Sequence, residues 1–567
     1  MPRERAVRPV MNIAFEAVVK KRLGGLLAVA QILRRLELAE IVDDLCPIRS
    51  DADLTHGQVV ELLIANRLTG PAPLQRVGDW AREWAVEEVF GADPALLNDD
   101  RLARSLDAIA PHLDQIVGGV GASAIAGFGI DVARCHWDMT SMSVFGAYRV
   151  EEQDPDYPLV KHGHPKDRRF DLKQVQAGLA VAGDGGIPIF SRVYSGGAAE
   201  VGQVVESMNA LRALAGERKT LLVADSKLVS WPNVTALVAA EAEFIAPLPA
   251  ARVPAGFYAG LDLQQAAEVP YTPVRAETRP NADPDRYRVL EDEYELAGPR
   301  KRDTPVRVRR ILVHSSGNAT GQAKARAKRL AKAGADLDKL AAGAGGRHYG
   351  TDTKIAARIG VIAKSRRVAS VLRTEITTDR ATGKPSLAWS WDEHALAAEA
   401  AADGWYSLIT PLPDPDGPPP RTAAGILLQY KGQGAVERRY GDFKGPLAVT
   451  PLFVQKNHRV AALIQIICLA LLVFSLIERQ VRAALGGDGK MIGLYPDNRR
   501  TAPTGRMILA TLSTLELRIG NILDPPTVLF AQPIHARLLE LLDINVIKPR
   551  WPDDNTQPET ATCELRG

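Results

Sequence analysis

The segment Tyr430-Lys-Gly-Gln-Gly-Ala-Val-Glu-Arg-Arg-Tyr-Gly-Asp-Phe-Lys-Gly-Pro-Leu447 is the most informative part of this 567-residue chain. In it, Gln433, Glu437 and Lys444 follow Tyr430 at offsets of 3, 7 and 14 residues. Because each residue of an α-helix advances by about 100°, one continuous helix carries all four within roughly 60°. The segment therefore predicts one helical face with a hydroxyl, an amide, a carboxylate and an ammonium group.

This set of side chains suits the cleavage of a nucleic-acid backbone. A carboxylate can hold a divalent cation, and a neighbouring ammonium group can hold a phosphate. The alternative is an amphipathic helix whose charged face is only solvated, which is the common meaning of a charge run.

Two aspartates upstream stand at positions that favour the first interpretation. Asp138 lies in Arg134-Cys-His-Trp-Asp-Met-Thr-Ser-Met-Ser-Val-Phe-Gly146, where alternation predicts a strand with the carboxylate on one face. Asp225 ends the apolar run Thr220-Leu-Leu-Val-Ala-Asp, which predicts a buried strand with an acid at its carboxyl end. Taken singly, each aspartate is more commonly explained as the cap of a following helix.

Taken together, these blocks resemble the insertion-sequence transposases of the DDE, RNase H-like superfamily. Trp137-Asp-x-Thr-Ser141 and Val223-Ala-Asp-Ser226 resemble the first two catalytic blocks of that superfamily. The segment that begins at Tyr430 resembles the signature Tyr-x2-Arg-x3-Glu-x6-Lys of one of its groups. Gln433 stands where that group usually has arginine.

The resemblance implies an α/β fold: an RNase H-like mixed-sheet core, interrupted by a β-rich insertion and preceded by an all-α domain. The sequence order agrees, with three strands followed by helix, strand, helix and strand. The expected segments are a helical N-terminal domain that binds DNA ends (1–125), the first part of the core (126–250), a β-rich and basic insertion (251–395), the second part of the core (396–485) and a C-terminal segment for dimerisation (486–567).

The resemblance also implies a role for each site residue. Two Mg²⁺ or Mn²⁺ ions are expected, because hard oxygen ligands select these metals. Asp138 is expected to bridge both ions, Asp225 to bind one and Glu437 the other. For the DNA, Lys444 is expected to contact a phosphate near the scissile bond and Tyr430 the DNA end. Gln433 is a weaker phosphate clamp than arginine, for which Arg438 and Arg439 stand near enough to compensate.

The function implied is a DNA transposase that binds the terminal inverted repeats of its own element and catalyses cut-and-paste transposition. Double-stranded DNA and a second copy of the chain are the expected partners, in the cytoplasm and without a membrane. Two alternatives stay open. One is an RNase H-like nuclease without strand transfer, and the other is a repurposed DNA-binding protein without catalysis.

Composition narrows these choices only in part. A formal net charge of +3 does not indicate a polyanion partner, but cations cluster at Arg300 to Arg310, Lys324 to Lys332 and Lys364 to Arg367. Such clusters can follow a phosphate backbone, although a solvated helix face is the commoner interpretation of any single one. The four cysteines form no Cys-x2-Cys pair, which argues against a zinc site.

The apolar run Val460–Ile477 is as long as a membrane span, yet its position predicts a buried core helix.

Overall fold

A computed structural model describes residues 19–545 except 166–167, 199, 217–219, 255, 272–283, 414–420, 433, 448–451, 453 and 520–525. The chain divides into two compact units. The first comprises Met1–Ala199, Ser207–Thr220 and Gly434–Gly567, and the second comprises Glu200–Glu206 and Leu221–Gln433.

The described helices are α1 (Leu26–Arg35), α2 (Leu38–Leu45), α3 (His56–Thr69), α4 (Val77–Glu83), α5 (Val86–Phe90), α6 (Asp99–Ile109), α7 (Leu113–Phe128), α8 (Glu200–Ala215), α9 (Trp231–Ala239), α10 (Ser316–Gly343), α11 (Asp352–Arg366), α12 (Glu393–Ala401), α13 (Ala423–Lys431), α14 (Gly434–Lys444), α15 (Asn457–Leu485), α16 (Gly505–Leu512) and α17 (Pro533–Leu541). The described strands are β1 (Val19–Arg22), β2 (Arg134–Val144), β3 (Lys173–Ala182), β4 (Pro188–Ser195), β5 (Leu221–Ala224), β6 (Phe244–Pro247), β7 (Ala267–Val269), β8 (Tyr287–Leu296), β9 (Val306–Ser315), β10 (Leu372–Thr378), β11 (Pro385–Trp391), β12 (Trp405–Thr410), β13 (Glu516–Ile519) and β14 (Thr527–Leu529).

The first unit begins with the predicted run of short helices, α1 to α7. Thr55 caps α3, and its side chain accepts a hydrogen bond from the amide of Gln58. One strand interrupts the all-α prediction, because β1 pairs antiparallel with β13 from the C-terminal segment.

Three antiparallel strands of the first unit, in the order β4-β3-β2, carry Asp138. The hairpin between β3 and β4 turns at Gly185 and Gly186, whose φ angles are 69° and 66°. Only glycine adopts these left-handed angles without strain, so the Asp-Gly-Gly sequence fixes this turn.

The core of the first unit is α15, which packs against α1, α3, α6 and β4. By length and composition it could cross a membrane, but its most apolar stretch is entirely buried inside the protein. The Gln465 side chain, which interrupts the apolar run, donates to the backbone carbonyl of Ser191 at 3.1 Å. The prediction of a buried core helix is confirmed, and the helix extends beyond Val460–Ile477 at both ends.

The second unit contributes six strands to a mixed sheet, in the order β5-β6-β12-β9-β8-β7. Strands β5 and β6 are parallel, and the remaining neighbours are antiparallel. Apolar side chains of the sheet, including Val223, Ile311 and Val313, pack with Ile426 and Leu427 of α13. A separate cluster joins α10 and α11 to the two-stranded ladder of β10 and β11.

The predicted α/β class with a mixed sheet is confirmed. From β2 to β6, the described elements follow the predicted order of three strands and then helix, strand, helix and strand. The region of the expected β-rich and basic insertion contains the helices α10 and α11 beside its strands. The two units divide the chain differently from the five expected segments, whose boundaries stay a prediction.

Candidate active site

Asp138 lies in the middle of β2, opposite Leu179 of β3. Its side chain is half-buried, whereas its neighbours on both faces of the strand are buried. One carboxylate oxygen accepts a hydrogen bond from the amide of Met139 at 2.7 Å. The strand predicted around Asp138 is confirmed, and Asp138 is one of two half-buried interior positions of the strand, the other being Ser143.

Helix α14 carries Glu437 and has two distinct faces. Val436, Arg439, Tyr440 and Phe443 are buried at the spacing i, i+3, i+4 and i+7. Glu437 and Lys444 are exposed, and their separation of seven residues places both on one face, about 10 Å apart along the axis. The prediction that these two side chains share a helical face is confirmed.

Tyr440 ties this helix to the strand of Asp138. Its hydroxyl donates a hydrogen bond of 2.5 Å to the backbone carbonyl of Asp138 and lies 3.3 Å from the carbonyl of Ala177. Since Tyr440 is one helical turn from Glu437, this contact holds the Glu437 helix against β2 at the aspartate.

Arg439 anchors the same helix from its buried face. Its side chain has no exposed surface, and it donates to the carbonyl oxygens of Gly186 at 2.7 Å and Gly185 at 2.9 Å. The guanidinium also pairs at 3.2 Å with Glu478 of α15, which accepts a further hydrogen bond from the amide of Gly505. Burial by itself raises the pKa of the Glu478 carboxyl, but the Arg439 guanidinium, the Gly505 amide and the Arg482 guanidinium at 2.9 Å outweigh it and hold the pKa below its usual value.

The position of Arg439 corrects one expectation. The side chain was expected to help Arg438 compensate for the missing arginine at position 433. The Arg439 side chain is buried and forms hydrogen bonds with Glu478 and the glycine carbonyls. Of these two arginines, only Arg438 is exposed.

The expectation of one continuous helix from Tyr430 to Lys444 is wrong. Helix α13 ends at Lys431, Gly432 caps it, and α14 begins only at Gly434. Glycine loses more conformational entropy in a helix than other residues, so the two glycines at positions 432 and 434 favour the interruption. Tyr430 therefore lies on a different helix from Glu437, and Gln433 lies outside the described residues.

Tyr430 is half-buried against the core of the second unit, beside Tyr406. The next residue, Lys431, places its ammonium nitrogen 4.1 Å from the centroid of the Tyr287 ring. Burial lowers the pKa of this ammonium group, and the nearby Asp285 carboxylate opposes the shift. The role of Tyr430 at a DNA end stays a prediction.

Asp225 directly follows β5, as predicted, and is half-buried. One carboxylate oxygen accepts a hydrogen bond from the amide of Lys227 at 3.0 Å and so caps the short turn Ser226–Leu228. The capping role, the alternative considered for a strand-end aspartate, is thus present. It occupies one lone pair of one oxygen and leaves metal binding by the carboxylate chemically compatible.

Each of the three carboxylates predicted from the sequence is chemically suited to Mg²⁺ or Mn²⁺. Asp138, Asp225 and Glu437 offer only carboxylate oxygens, the ligands that these hard cations prefer. Asp138 and Glu437 belong to the first unit and Asp225 to the second. Within the described ranges, no three His, Cys, Asp or Glu side chains form a ready-made metal cluster.

The arginines of β9 do not form the expected phosphate-binding surface. They pair with the acidic strand β8, which runs antiparallel to β9. The pairs are Arg307 with Glu293, Arg309 with Glu291, and Arg310 with Asp292. Opposite charges on facing strands stabilise the ladder, so this cluster has a structural explanation. The sequence of β9 alone does not reveal it, because the acidic partners lie on β8.

Sequence reasoning missed Arg439, Tyr440 and Glu478 as positioning residues. A signal was present, because Arg439 occupies an apolar helical face defined by Val436 and Phe443. Glu478 directly follows the apolar run that ends at Ile477. Charges at such core positions indicate partners for each other, since an unpaired buried charge is costly.

Comparison with known proteins gives limited matches. A family model described as "Domain of unknown function (DUF4277)" matches residues 18–114, the region from β1 into α7. No curated protein matches the chain. Among solved structures, the cryo-EM structure of a piggyBac transposase synaptic complex with hairpin DNA matches at 8% identity, over 87% of this chain and 82% of that chain. Its TM-score of 0.35 is too low to establish a shared fold.

Proposed function

We propose that the protein is a DNA transposase that cleaves the ends of its own insertion element and joins them to target DNA. The observation that carries the proposal is the hydrogen bond from Tyr440 to the carbonyl of Asp138. It links the two sequence blocks that resemble the first and last acidic blocks of the DDE superfamily. A purely solvated polar helix has no need of such an anchor.

In this proposal Asp138, Asp225 and Glu437 hold two divalent cations. Such ions activate the attacking oxygen and stabilise the leaving oxygen in phosphodiester chemistry. Arg439 and Tyr440 fix the Glu437 helix, so that its carboxylate does not have to be ordered during the reaction.

We assign DNA contacts to the exposed cations of α14. Lys444 lies on the same face as Glu437 and binds a phosphate near the scissile bond as a point charge. Arg438, also exposed, binds a second phosphate. Tyr430 and Gln433 contact the DNA end, Gln433 with a neutral hydrogen bond only.

The direct test uses purified full-length protein and a duplex that carries an end of its own element. Short inverted repeats that flank the reading frame in its genome define this duplex. We expect nicking of the end with Mg²⁺ or Mn²⁺ and none in chelator. Metal binding gives a readout separate from activity: Asp138→Asn with Glu437→Gln should weaken Mn²⁺ binding.

The same reaction separates the proposed function from its alternatives. Transfer of the freed 3′ hydroxyl to a target plasmid supports a transposase. Cleavage without joining identifies a nuclease, and specific binding without cleavage identifies a repurposed DNA-binding protein. Synapsis of two ends by a homodimer, in the cytoplasm, completes the proposal, and the mass of the protein–DNA complex tests its stoichiometry.

A further inference from the structure

An open groove in the second unit has a strongly basic lining. Its volume is about 550 Å³, and it lies between α10, the end of α11 and the end of α12. Six cations line it, against the two carboxylates of Glu399 and Asp403. The cations are Arg326, Lys328, Arg329, Lys332, Arg366 and Arg367.

Half of these cations are already neutralised within the protein. Arg326 pairs with Asp403 at 2.7 Å, and Arg329 pairs with Glu399. Arg366 pairs with Asp336 at 2.9 Å. These ion pairs join the helices that form the groove and fix its walls. The three paired cations therefore have little net charge left to attract a ligand.

The other three cations are positioned for an external anion. Lys328, Lys332 and Arg367 are exposed, and in the described part of the chain none forms an ion pair with a carboxylate. Lys328 and Lys332 are four residues apart and therefore share a face of α10. Arg367 faces the same groove from the C-cap of α11, where it adopts a left-handed φ of 56° that is uncommon for arginine.

The surroundings favour an extended polyanion over a small ligand. Ser316 to Ala335 contains no acidic residue, and alanines alternate with the cations, so that a partner can approach the helix closely. The lining part of α10, from Gln322 to Lys332, rises by about 15 Å, over which one strand of a DNA duplex presents about four phosphates.

We propose that this groove binds the phosphate backbone of duplex DNA, with Lys328, Lys332 and Arg367 as the contacting cations. The proposal rests on the proposed function, because it supplies that function with a second DNA contact, remote from α14 in sequence. It requires no base recognition, so binding here is independent of DNA sequence.

The test measures binding of the full-length protein to a random-sequence duplex in chelator, over a series of salt concentrations. The groove variant is Lys328→Gln, Lys332→Gln and Arg367→Gln. The control variant is Lys339→Gln, Lys354→Gln and Arg358→Gln, which removes equal charge from exposed positions of the same two helices outside the groove lining. Thermal unfolding verifies that both variants fold.

We expect the groove variant to flatten the slope of log affinity against log salt by about 2.7, since each lost phosphate contact is worth about 0.9. The control variant should retain the slope of the wild type. Equal slopes for the two variants would overturn the proposal, as would polyglutamate competing as well as DNA at equal charge. Because no cleavage is measured, failure here leaves the metal-dependent function standing, and failure of cleavage leaves this groove standing.

Discussion

Arg439 combines a charge with complete burial, and this combination makes it a residue on which the site depends. Because its guanidinium has no contact with water, it donates its hydrogen bonds to Glu478, Asp442 and two glycine carbonyls. Removing one member of a buried pair leaves the other charged and unsolvated, which costs more than the pair itself contributes. The neighbouring Arg438 is exposed and provides a natural comparison.

We predict that Arg439→Met lowers the free energy of unfolding by about 3–5 kcal/mol, because Glu478 loses a buried partner. Arg438→Met should change it by no more than about 0.5 kcal/mol. Urea unfolding followed by circular dichroism compares the two variants. Equal stabilities would show that the Arg439 network does not anchor α14.

Tyr440→Phe should separate positioning from folding. It removes only the hydroxyl that reaches the carbonyls of Asp138 and Ala177, at a cost of about 0.5–1.5 kcal/mol. We expect a loss of at least about tenfold in the cleavage rate, with DNA binding retained. Without the hydroxyl, the helix that carries Glu437 is held less firmly against β2, and its carboxylate is less well oriented.

Tyr148→Phe is the matched control for Tyr440→Phe. The Tyr148 hydroxyl donates to the carbonyl of Val454 at 2.6 Å in the same unit. A similar loss of stability with normal cleavage is expected. If both variants cut DNA equally well, Tyr440 does not position the site.

The Arg439 network also predicts a pH dependence. The pKa of Glu478 is lower in the folded protein than its ordinary value of 4.5, so its contribution to stability is full above about pH 4.5. That contribution is lost as the pH falls through the lower, folded pKa. Unfolding measured between about pH 3 and pH 7 should therefore show an acid-side decline that is shallower in Arg439→Met. An unchanged decline in the variant would contradict this.

At the scale of elements, the sequence predicts strands and buried helices better than helix ends. Strands β2 and β5 and helix α15 follow from runs of apolar residues whose length and period are distinctive. The sequence does not predict the break between α13 and α14, because the spacing of Tyr430, Gln433, Glu437 and Lys444 fits one helix, whereas only the glycines at 432 and 434 indicate an interruption. The positions of Glu437 and Lys444 on one face survive because both lie beyond the break.

Helix α15 yields a prediction about its apolar stretch. Leu469 is 4% exposed in the core of the first unit, so Leu469→Asp places an unpaired charge in a packed interior at a cost of several kcal/mol. Ala484→Asp, exposed near the end of the same helix, should cost far less. Soluble expression and thermal unfolding compare the two. Equal tolerance, or wild type retained by membranes after a high-salt wash, would contradict burial of this helix.

At the scale of the whole molecule, the three proposed metal ligands come from both units. Asp138 and Glu437 lie in the first and Asp225 in the second. Such residues can be predicted from the sequence, because each lies in a short motif with a regular local pattern. Long-range contacts such as Arg439 with Glu478 depend on packing between distant segments, and no local period encodes their pairing.

The central claim is that Glu437 is a metal-binding carboxylate of a DNA-cleaving site. The most direct measurement compares cleavage of an element-end duplex by wild type, Glu437→Gln and Glu87→Gln, an exposed acid of α5, with Mg²⁺ and in chelator. We predict cleavage by wild type and Glu87→Gln with Mg²⁺ only, and no cleavage by Glu437→Gln although it binds the duplex normally. Cleavage by Glu437→Gln at the wild-type rate, or full wild-type activity in chelator, would contradict the account.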